Sequence, residues 1–440
     1  MEIRRCVCNN ATGKHRTQII ATPHRRFSDH PITRFFKLLQ SNRNHTQLLL
    51  TKSERLPGFG AISLNDSAVL QGRPVAPAFQ SGTPGAATRS HKPLKVVAIG
   101  GGAGLSTLLK GLKQYILPHI DCGLEPAEPS GPMIGELTAV VTVTDDGGSS
   151  GRLRKEFKML PPGDIRNCLV ALSEDENLLS RLFQYRFTSG SGLEGHSFGN
   201  LFLAALTAIT KDFGQSIRLS SAILATRGRI LPSTTGDVQL CADMDDGTRV
   251  LGETSISASR RRIVRLHMSP PDAQPAPETL SAIAEADLIT IGPGSLFTSL
   301  VPNLLVHGIP EAIAASSAVK VYVCNLMTQA NESLGLTAAD HIRALYRHAR
   351  MPFLDYALVN KSPVSDDLVA KYALESSSPV VCDEQAMQDL GVRLVKGNYV
   401  AQGDVACHAA DKVALDLLNL TSRYQFFIYA KRGLGHAVNR

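Results

Sequence analysis

The chain passes without a break from Leu94-Lys95-Val96-Val97-Ala98-Ile99 into Gly100-Gly101-Gly102-Ala103-Gly104, and then into leucines at 105, 108, 109 and 112. A short apolar run rich in β-branched residues reads as a buried strand, and the leucine spacing as one face of a helix starting near Leu105. Strand, glycine turn and helix in that order open a parallel α/β unit, because parallel strands need a crossover and a helix supplies it.

The same grammar recurs. Thr138 to Thr144 reads as a second buried strand ending in Asp145-Asp146-Gly147-Gly148, Asp287 to Ile291 as a third ending in Gly292-Pro293-Gly294-Ser295, and Lys320 to Cys324 as a fourth ending in Asn325. Tyr356 to Val359 completes the set. From Asp164 to Ala225 the apolar spacing is helical, which predicts a helical insertion between two halves of the sheet. Val238 to Asp243 and Thr248 to Glu253 flank Asp246-Gly247, a strong hairpin signal, with Ile263 to His267 as a possible third strand. The expected class is α/β: a mostly parallel sheet with a helical insertion and a small β-hairpin region, its polar loops at the strand ends where such sheets bind ligands.

Length and charge bound the rest. At 440 residues the chain is long enough for two domains, or for one large α/β domain with an appendage. No apolar run approaches a bilayer-spanning length. Eight cysteines without a CxxC pair argue against a zinc ribbon or a disulfide framework, and suit a reducing cytoplasm. The net charge of +7 is unevenly placed: residues 1 to 92 carry 14 Lys and Arg against four acids, a net of +10, which leaves the remainder at −3. No nucleic-acid surface is expected on that main body. Residues 1 to 92, with their Pro/Gly/Ser/Ala-rich run, read as a disordered basic extension: a nucleic-acid-binding arm, a cleaved targeting segment, or sequence upstream of a misassigned start.

The glycine loop matches neither familiar phosphate fingerprint, since Leu105 stands where a dinucleotide motif needs glycine and where a P-loop needs lysine. Its physics still favours an oxyanion. Consecutive glycines let backbone N–H groups approach a ligand, and a helix start adds a favourable dipole, with the Ser106 hydroxyl nearby. Each helix terminus contributes only about 0.3–1 kcal/mol, whereas micromolar affinity needs about 8 kcal/mol. The two turns at Gly101-Gly102-Gly104 and Gly292-Gly294-Ser295 therefore predict a larger anionic ligand, a nucleotide diphosphate or nucleotide sugar, with its base or sugar held elsewhere.

Asp145 and Asp146 lie on the rim of that crevice. They are suited to a metal bridging a diphosphate, to ligand hydroxyls, or to general-base work on an acceptor hydroxyl; a solvated turn is the plain alternative. Arg152, Arg154 and Arg166 are close in sequence, and Asp164 reads as the N-cap of the next helix. Gly195-His196-Ser197-Phe198-Gly199 fits a nucleophile elbow by letter, which would make Ser197 a hydrolase nucleophile. The strand that an elbow requires is missing, so Ser197 reads better as a helix N-cap beside a pocket containing His196 and Asn200. No His/Cys spacing suggests a transition-metal site.

Six ordered motifs together resemble the bacterial gluconeogenesis factors (YvcK-like proteins), relatives of 2-phospho-L-lactate transferase in the CofD-like superfamily. They are the Ile99 to Ser106 loop, Asp145 to Arg154, Leu160-Pro-Pro-Gly-Asp-Ile-Arg166-Asn167, Gly195 to Asn200, Gly292 to Ser299 with Pro302-Asn303, and Cys324-Asn325-Leu-Met-Thr-Gln329. The resemblance covers Val96 to about Asn360. It implies a CofD-like domain over 93–440 with a Rossmann-like core, a cytoplasmic location, UDP-sugar binding, and a role in carbon metabolism and cell shape during growth on gluconeogenic substrates.

The ligand-holding residues it points to are Gly101, Gly102, Gly104, Ser106, Arg166, Asn167, His196, Asn200, Gly292, Gly294, Ser295, Asn303 and Asn325, with no resident metal ligand set and Mg²⁺ as an optional companion of the diphosphate. Asp145 and Asp146 are catalytic only if the chain is an enzyme of the transferase kind, which moves a phospholactyl group from a guanosine-linked donor to a deazaflavin. A homo-oligomer and a regulatory protein partner stay open. Two departures from the usual motif stand out: Ala103 where threonine is common, and Ala330-Asn331-Glu332 in place of a Gly-Glu run.

Overall fold

Strand β1 (Leu94–Gly100) is the axis of a parallel sheet from which the chain winds first one way and then the other. The computed structural model describes residues 92–117, 131–174, 178–259 and 261–437, with side chains described as far as 426. The expectations for residues 1–92 therefore lie almost wholly outside the described residues.

In chain order, β1 leads through α1 (Gly102–Lys113) to β2 (Ile134–Val141), then through α2 (Gly148–Phe157), α3 (Gly163–Leu172), α4 (Leu178–Gln184), α5 (Phe198–Thr210) and α6 (Phe213–Ile223) to β3 (Arg229–Pro232). A separate excursion follows, with β4 (Gln239–Met244), β5 (Arg249–Leu251), α7 (Glu253–Ala258) and β6 (Ile263–Ser269). The chain returns through α8 (Pro277–Glu285) to β7 (Leu288–Ile291), a π-helical turn (Leu296–Leu300), α9 (Val301–Leu304), α10 (Ile309–Ala315) and β8 (Val319–Val323). It ends with α11 (Ala338–Ala349), β9 (Tyr356–Asn360), α12 (Asp366–Ala373), α13 (Glu384–Asp389), β10 (Arg393–Gly397) and α14 (Ala410–Ala437).

The large sheet has the order β10-β9-β8-β7-β1-β2-β3, and every neighbouring pair is parallel. From β1 the chain steps outward to β3, then returns to lay β7 on the other flank of β1. That reversal makes the space beyond the C-terminal ends of β1 and β7 a topological switch point, the usual ligand crevice of such sheets. β7 and β8 are buried at every residue, as strands covered by helices on both faces must be. Leu105, Leu108, Leu109 and Leu112 of α1 are fully buried against the sheet, and each such side chain is worth roughly 1.5–3 kcal/mol of transfer free energy.

The helical insertion and the hairpin are where the pattern predicted, with β4 antiparallel to both β5 and β6. Three details differ. The second strand is Ile134–Val141, and Thr142 to Thr144 continue beyond it as buried chain pointing into the crevice. Glu253 opens α7 and does not close a strand. Two strands, β3 and β10, escape the apolar-run criterion because they are the sheet edges, where Arg229 is exposed and Arg393 and Gly397 are half-buried.

No single helix among the described residues is long and apolar enough to cross a membrane.

Candidate functional site

The two glycine loops touch at the switch point. A Cβ on Gly104 would lie 2.5 Å from the Pro293 carbonyl oxygen and 2.9 Å from the Gly294 Cα, so only glycine lets the start of α1 approach the second loop. Gly102 has φ +63° and Gly292 φ +81°, both in the left-handed region that glycine adopts freely. α1 begins at Gly102, three residues before the expected start, so the glycine loop is itself the first helical turn. Its N-cap, Gly101, offers no side-chain cap, and the first turn holds no acid of its own. The Asp164 carboxylate accepts the Gly102 N–H from outside the helix. The amides beyond it are the oriented donors that an anion can use.

An open groove of about 280 Å³ runs from this loop past Ser295 and Asn325 to Gln329, Tyr372 and His408. Asn325 Oδ1 faces the Gly294 N–H at 3.5 Å, and Gln329 Nε2 donates to Ser295 Oγ at 2.8 Å. His408 donates through Nε2 to the Cys324 carbonyl at 3.0 Å, and burial pushes its imidazole down to about 4, leaving it neutral. The second loop, like the first, is met by a carboxylate of the chain, here at two amides. Buried Glu332 accepts the Phe297 and Thr298 N–H groups at 3.0 and 2.8 Å, so the π-helical turn after Ser295 is already capped by a carboxylate of the chain itself. Ser106 and Asn303 bond to backbone: Ser106 Oγ donates to the Gly102 carbonyl, and Asn303 Nδ2 donates to the carbonyls of Ser299 and Gly100, pinning the end of β1.

Beyond the end of β2 lies an acidic half. Asp145 accepts the Gly147 N–H at 2.9 Å, while Asp146 accepts both the backbone N–H (2.8 Å) and the hydroxyl (2.6 Å) of Thr254, holding the first turn of α7. The expected N-cap role of Asp164 is not what the structure has. Pro162 occupies the cap, and Asp164, one residue inside α3, turns its carboxylate back toward the glycine loop. Burial, reinforced by the Asp145 charge, raises Asp164 to about 6. Glu253 goes to about 9, driven by burial and then by Asp145, Asp164 and Asp146, although the Thr144 hydroxyl donates to it at 3.3 Å. Among the described residues no three His, Cys, Asp or Glu side chains converge to hold a metal ion, so these acids do not form a ready cage for Mg²⁺.

A polar cluster from the helical insertion completes the site. Asn200 Nδ2 donates to Ser149 Oγ (3.1 Å), which in turn meets His196 Nδ1 at 2.9 Å, with all three side chains buried. Burial first, then the nearby Arg152 charge, lowers the His196 pKa. Arg166 donates to Asn167 Oδ1 at 2.6 Å and packs its Cγ against Gly199, where a Cβ would come within 2.9 Å. Arg166 Nε and Asn200 Oδ1 are buried without a partner. Arg154 is structural, donating to Asp237 and to the Val238 carbonyl.

Ser197 is fully buried and caps α5, accepting the Asn200 N–H at 3.3 Å. Ser197→Ala is therefore expected to lower stability by about 0.5–2 kcal/mol in denaturant melts, with nucleotide binding retained. Loss of an esterase activity in that variant, without loss of stability, would restore the nucleophile reading.

The sequence-derived residues thus fall into a groove side (Gly101, Gly102, Gly104, Gly292, Gly294, Ser295, Asn325) and an acidic and imidazole side (Asp145, Asp146, Arg166, Asn167, His196, Asn200). Asp164 stands between them, and it, Glu253, Gln329 and His408 are the members that sequence reasoning did not select. The Pro161-Pro162-Gly163-Asp164 segment was the available signal for Asp164. Nothing local marks His408, which meets Cys324 across 84 residues.

The sequence matches the family described as 2-phospho-L-lactate transferase CofD over residues 96–400. The gluconeogenesis factor of Halalkalibacterium halodurans is 48% identical over 328 residues, 74% of this chain and 96% of that protein. The gluconeogenesis factor of Bacillus subtilis is 46% identical over 327 residues, 74% of this chain and 98% of that protein. A crystal structure of a UPF0052 family member from Bacillus halodurans superposes with a TM-score of 0.69 at 48% identity, covering 74% of this chain and all (100%) of that one.

Proposed function

The chain belongs to the CofD family, in the group whose relatives are named gluconeogenesis factors, and from that premise we propose that it is a cytoplasmic UDP-sugar-binding regulator of carbon metabolism and cell shape, acting by binding and not by turnover. The observation that carries the reading is the crevice at the β1/β7 switch point, where a glycine-opened helix start, with only its Gly102 amide taken up by Asp164, faces Gly294 and Ser295. A diphosphate laid on the amides after Gly102 leaves its nucleoside or sugar in the groove toward Gln329 and His408. Arg166 Nε and the Asn200 carbonyl, both unpaired, supply hydrogen-bonding capacity on the other side.

One feature favours a regulator over a phospholactyl transferase: the Asp146 carboxylate is already engaged in holding the first turn of α7. The transferase reading keeps one supporting feature, the raised carboxyl of Asp164 beside Asp145, a pairing suited to proton transfer.

Thermal unfolding with UDP-sugars, GDP-sugars and dinucleotides tests the ligand class, since a ligand at 100 times its Kd stabilises by about 2.7 kcal/mol. The expected result is stabilisation by UDP-sugars. Turnover is tested separately with a guanosine-linked phospholactyl donor and a deazaflavin acceptor in the presence of Mg²⁺, where no product is expected. Product formation by the wild type that falls by about two orders of magnitude or more in Asp145→Asn would promote the transferase.

A further inference from the structure

Away from both halves of the site, a band of arginines runs along β6 and the outer face of α11. Arg261, Arg262 and Arg265 lie at the start of the strand, and Arg343, Arg347 and Arg350 follow one another at helical spacing; all six are exposed. The chain after residue 92 is net acidic, so this concentration is a local property of the surface. Three of the six have partners: Arg261 pairs with Asp246 at 3.0 Å, Arg343 with Asp340 at 2.8 Å, and Arg347 donates to the Val264 carbonyl at 3.3 Å. Arg262, Arg265 and Arg350 have no ion-pair partner among the described residues.

Between strand and helix lies a groove of about 360 Å³, rimmed by Arg261, Arg262, Arg343 and Arg347. Its floor is apolar. Val264 and Leu334 are 40% and 39% exposed there, an arrangement of arginine rim and aliphatic floor common in protein recognition surfaces. Its one aromatic side chain, Phe297, is buried at 4% exposure, so no stacking platform for bases is on offer. The acids that face it are Asp340, held by Arg343, and Glu332, whose carboxylate also caps the turn after Ser295.

We propose that this groove docks an acidic, amphipathic segment of a partner protein. Its carboxylates meet Arg262 and Arg347, and its aliphatic side chains lie on Val264 and Leu334. Arginine suits this role because its planar fork takes a carboxylate in two parallel hydrogen bonds and gives up hydration readily. Through Glu332 the groove wall is also the back of the second glycine loop. The proposal goes beyond nucleotide-sugar binding and does not depend on it.

The test uses the full chain and a short fluorescein-labelled peptide of Glu, Asp, Leu and Phe, read by anisotropy without nucleotide. The expected result is saturable binding that weakens by about tenfold or more in the double variant Arg262→Glu/Arg347→Glu and in Leu334→Asp. It should be unchanged in Arg218→Glu, an exposed arginine on α6. Melting transitions confirm that each variant is folded; should the double variant fail to fold, Arg262→Gln and Arg347→Gln singly, with a salt titration, give the same reading. No binding, or binding indifferent to the rim and floor variants, overturns the proposal. So does a single-stranded oligonucleotide that binds the same rim more tightly than the peptide, which marks a nucleic-acid surface instead.

Discussion

On the proposed function, Gly102→Val is expected to abolish nucleotide-sugar binding while the protein keeps its helical content and a cooperative melt. Gly102 holds φ +63° at the first position of α1, where any other L-residue is strained by about 1–2 kcal/mol, and a β-branched side chain by more. Space is not the obstacle, for the nearest atom to an added Cβ is Ser299 Oγ at 3.5 Å. The variant therefore relieves strain by reorienting the loop, and the amides that follow lose their aim at the ligand. Each factor of ten in affinity corresponds to about 1.4 kcal/mol, so the strain alone suffices for roughly a tenfold loss, and the misdirected donors extend it.

Gly104→Ala serves as the contrasting variant. Its Cβ would sit 2.5 Å from the Pro293 carbonyl oxygen, so it forces the two loops apart and should lower the melting temperature as well as the affinity. Calorimetric titration with a UDP-sugar decides the matter: unchanged affinity in a well-folded Gly102→Val would mean that the loop is only a turn.

Glu253→Gln is expected to stabilise the protein at neutral pH, by an amount that vanishes in acid. Burial and three neighbouring carboxylates raise this carboxyl from about 4.5 to about 9. A group that binds its proton more tightly in the folded state costs stability as pH rises, because the unfolded chain releases the proton first. The cost is absent below the unfolded value, grows through neutrality, and levels off above the folded value. At pH 7 it is on the order of 3 kcal/mol, counting about 1.4 kcal/mol per pH unit above the unfolded pKa. Glutamine occupies the same volume and cannot ionise, so it should show this gain at pH 7 and near equality at pH 4. Asp164→Asn follows the same sign over a narrower window, from the ordinary aspartate value up to about 6. Urea melts of both variants across that pH range are the measurement, and a Glu253→Gln difference that does not change with pH would remove the case for a protonated carboxyl in the site.

Perturbed carboxyls of this kind cluster at ligand sites more often than elsewhere, which is why this half of the crevice is the place to test. The Asp146 carboxylate ties the antiparallel excursion to the rim through Thr254, fastening the loop after β2 to the start of α7.

What the amino-acid sequence determined by itself is everything that short-range pattern can encode. β-Branched runs, leucine spacing, the glycine turns, Asp246-Gly247 and the cap at Ser197 act over a few residues, and the structure has each of these elements, with α1 starting three residues early at Gly102 and β2 lying at Ile134–Val141. The tertiary structure alone decided which distant groups meet. Thr144 reaches Glu253 across 109 residues, Asn200 reaches Ser149 across 51, and Gln329 reaches Ser295 across 34. It also decided that an aspartate resembling a helix cap faces a glycine loop, that edge strands form without apolar runs, and that arginines from β6 and α11 share a groove. The physical reason is that such meetings are set by strand order. β7 pairs with β1 only after the whole insertion and the second sheet have been laid elsewhere, and no local propensity records that choice.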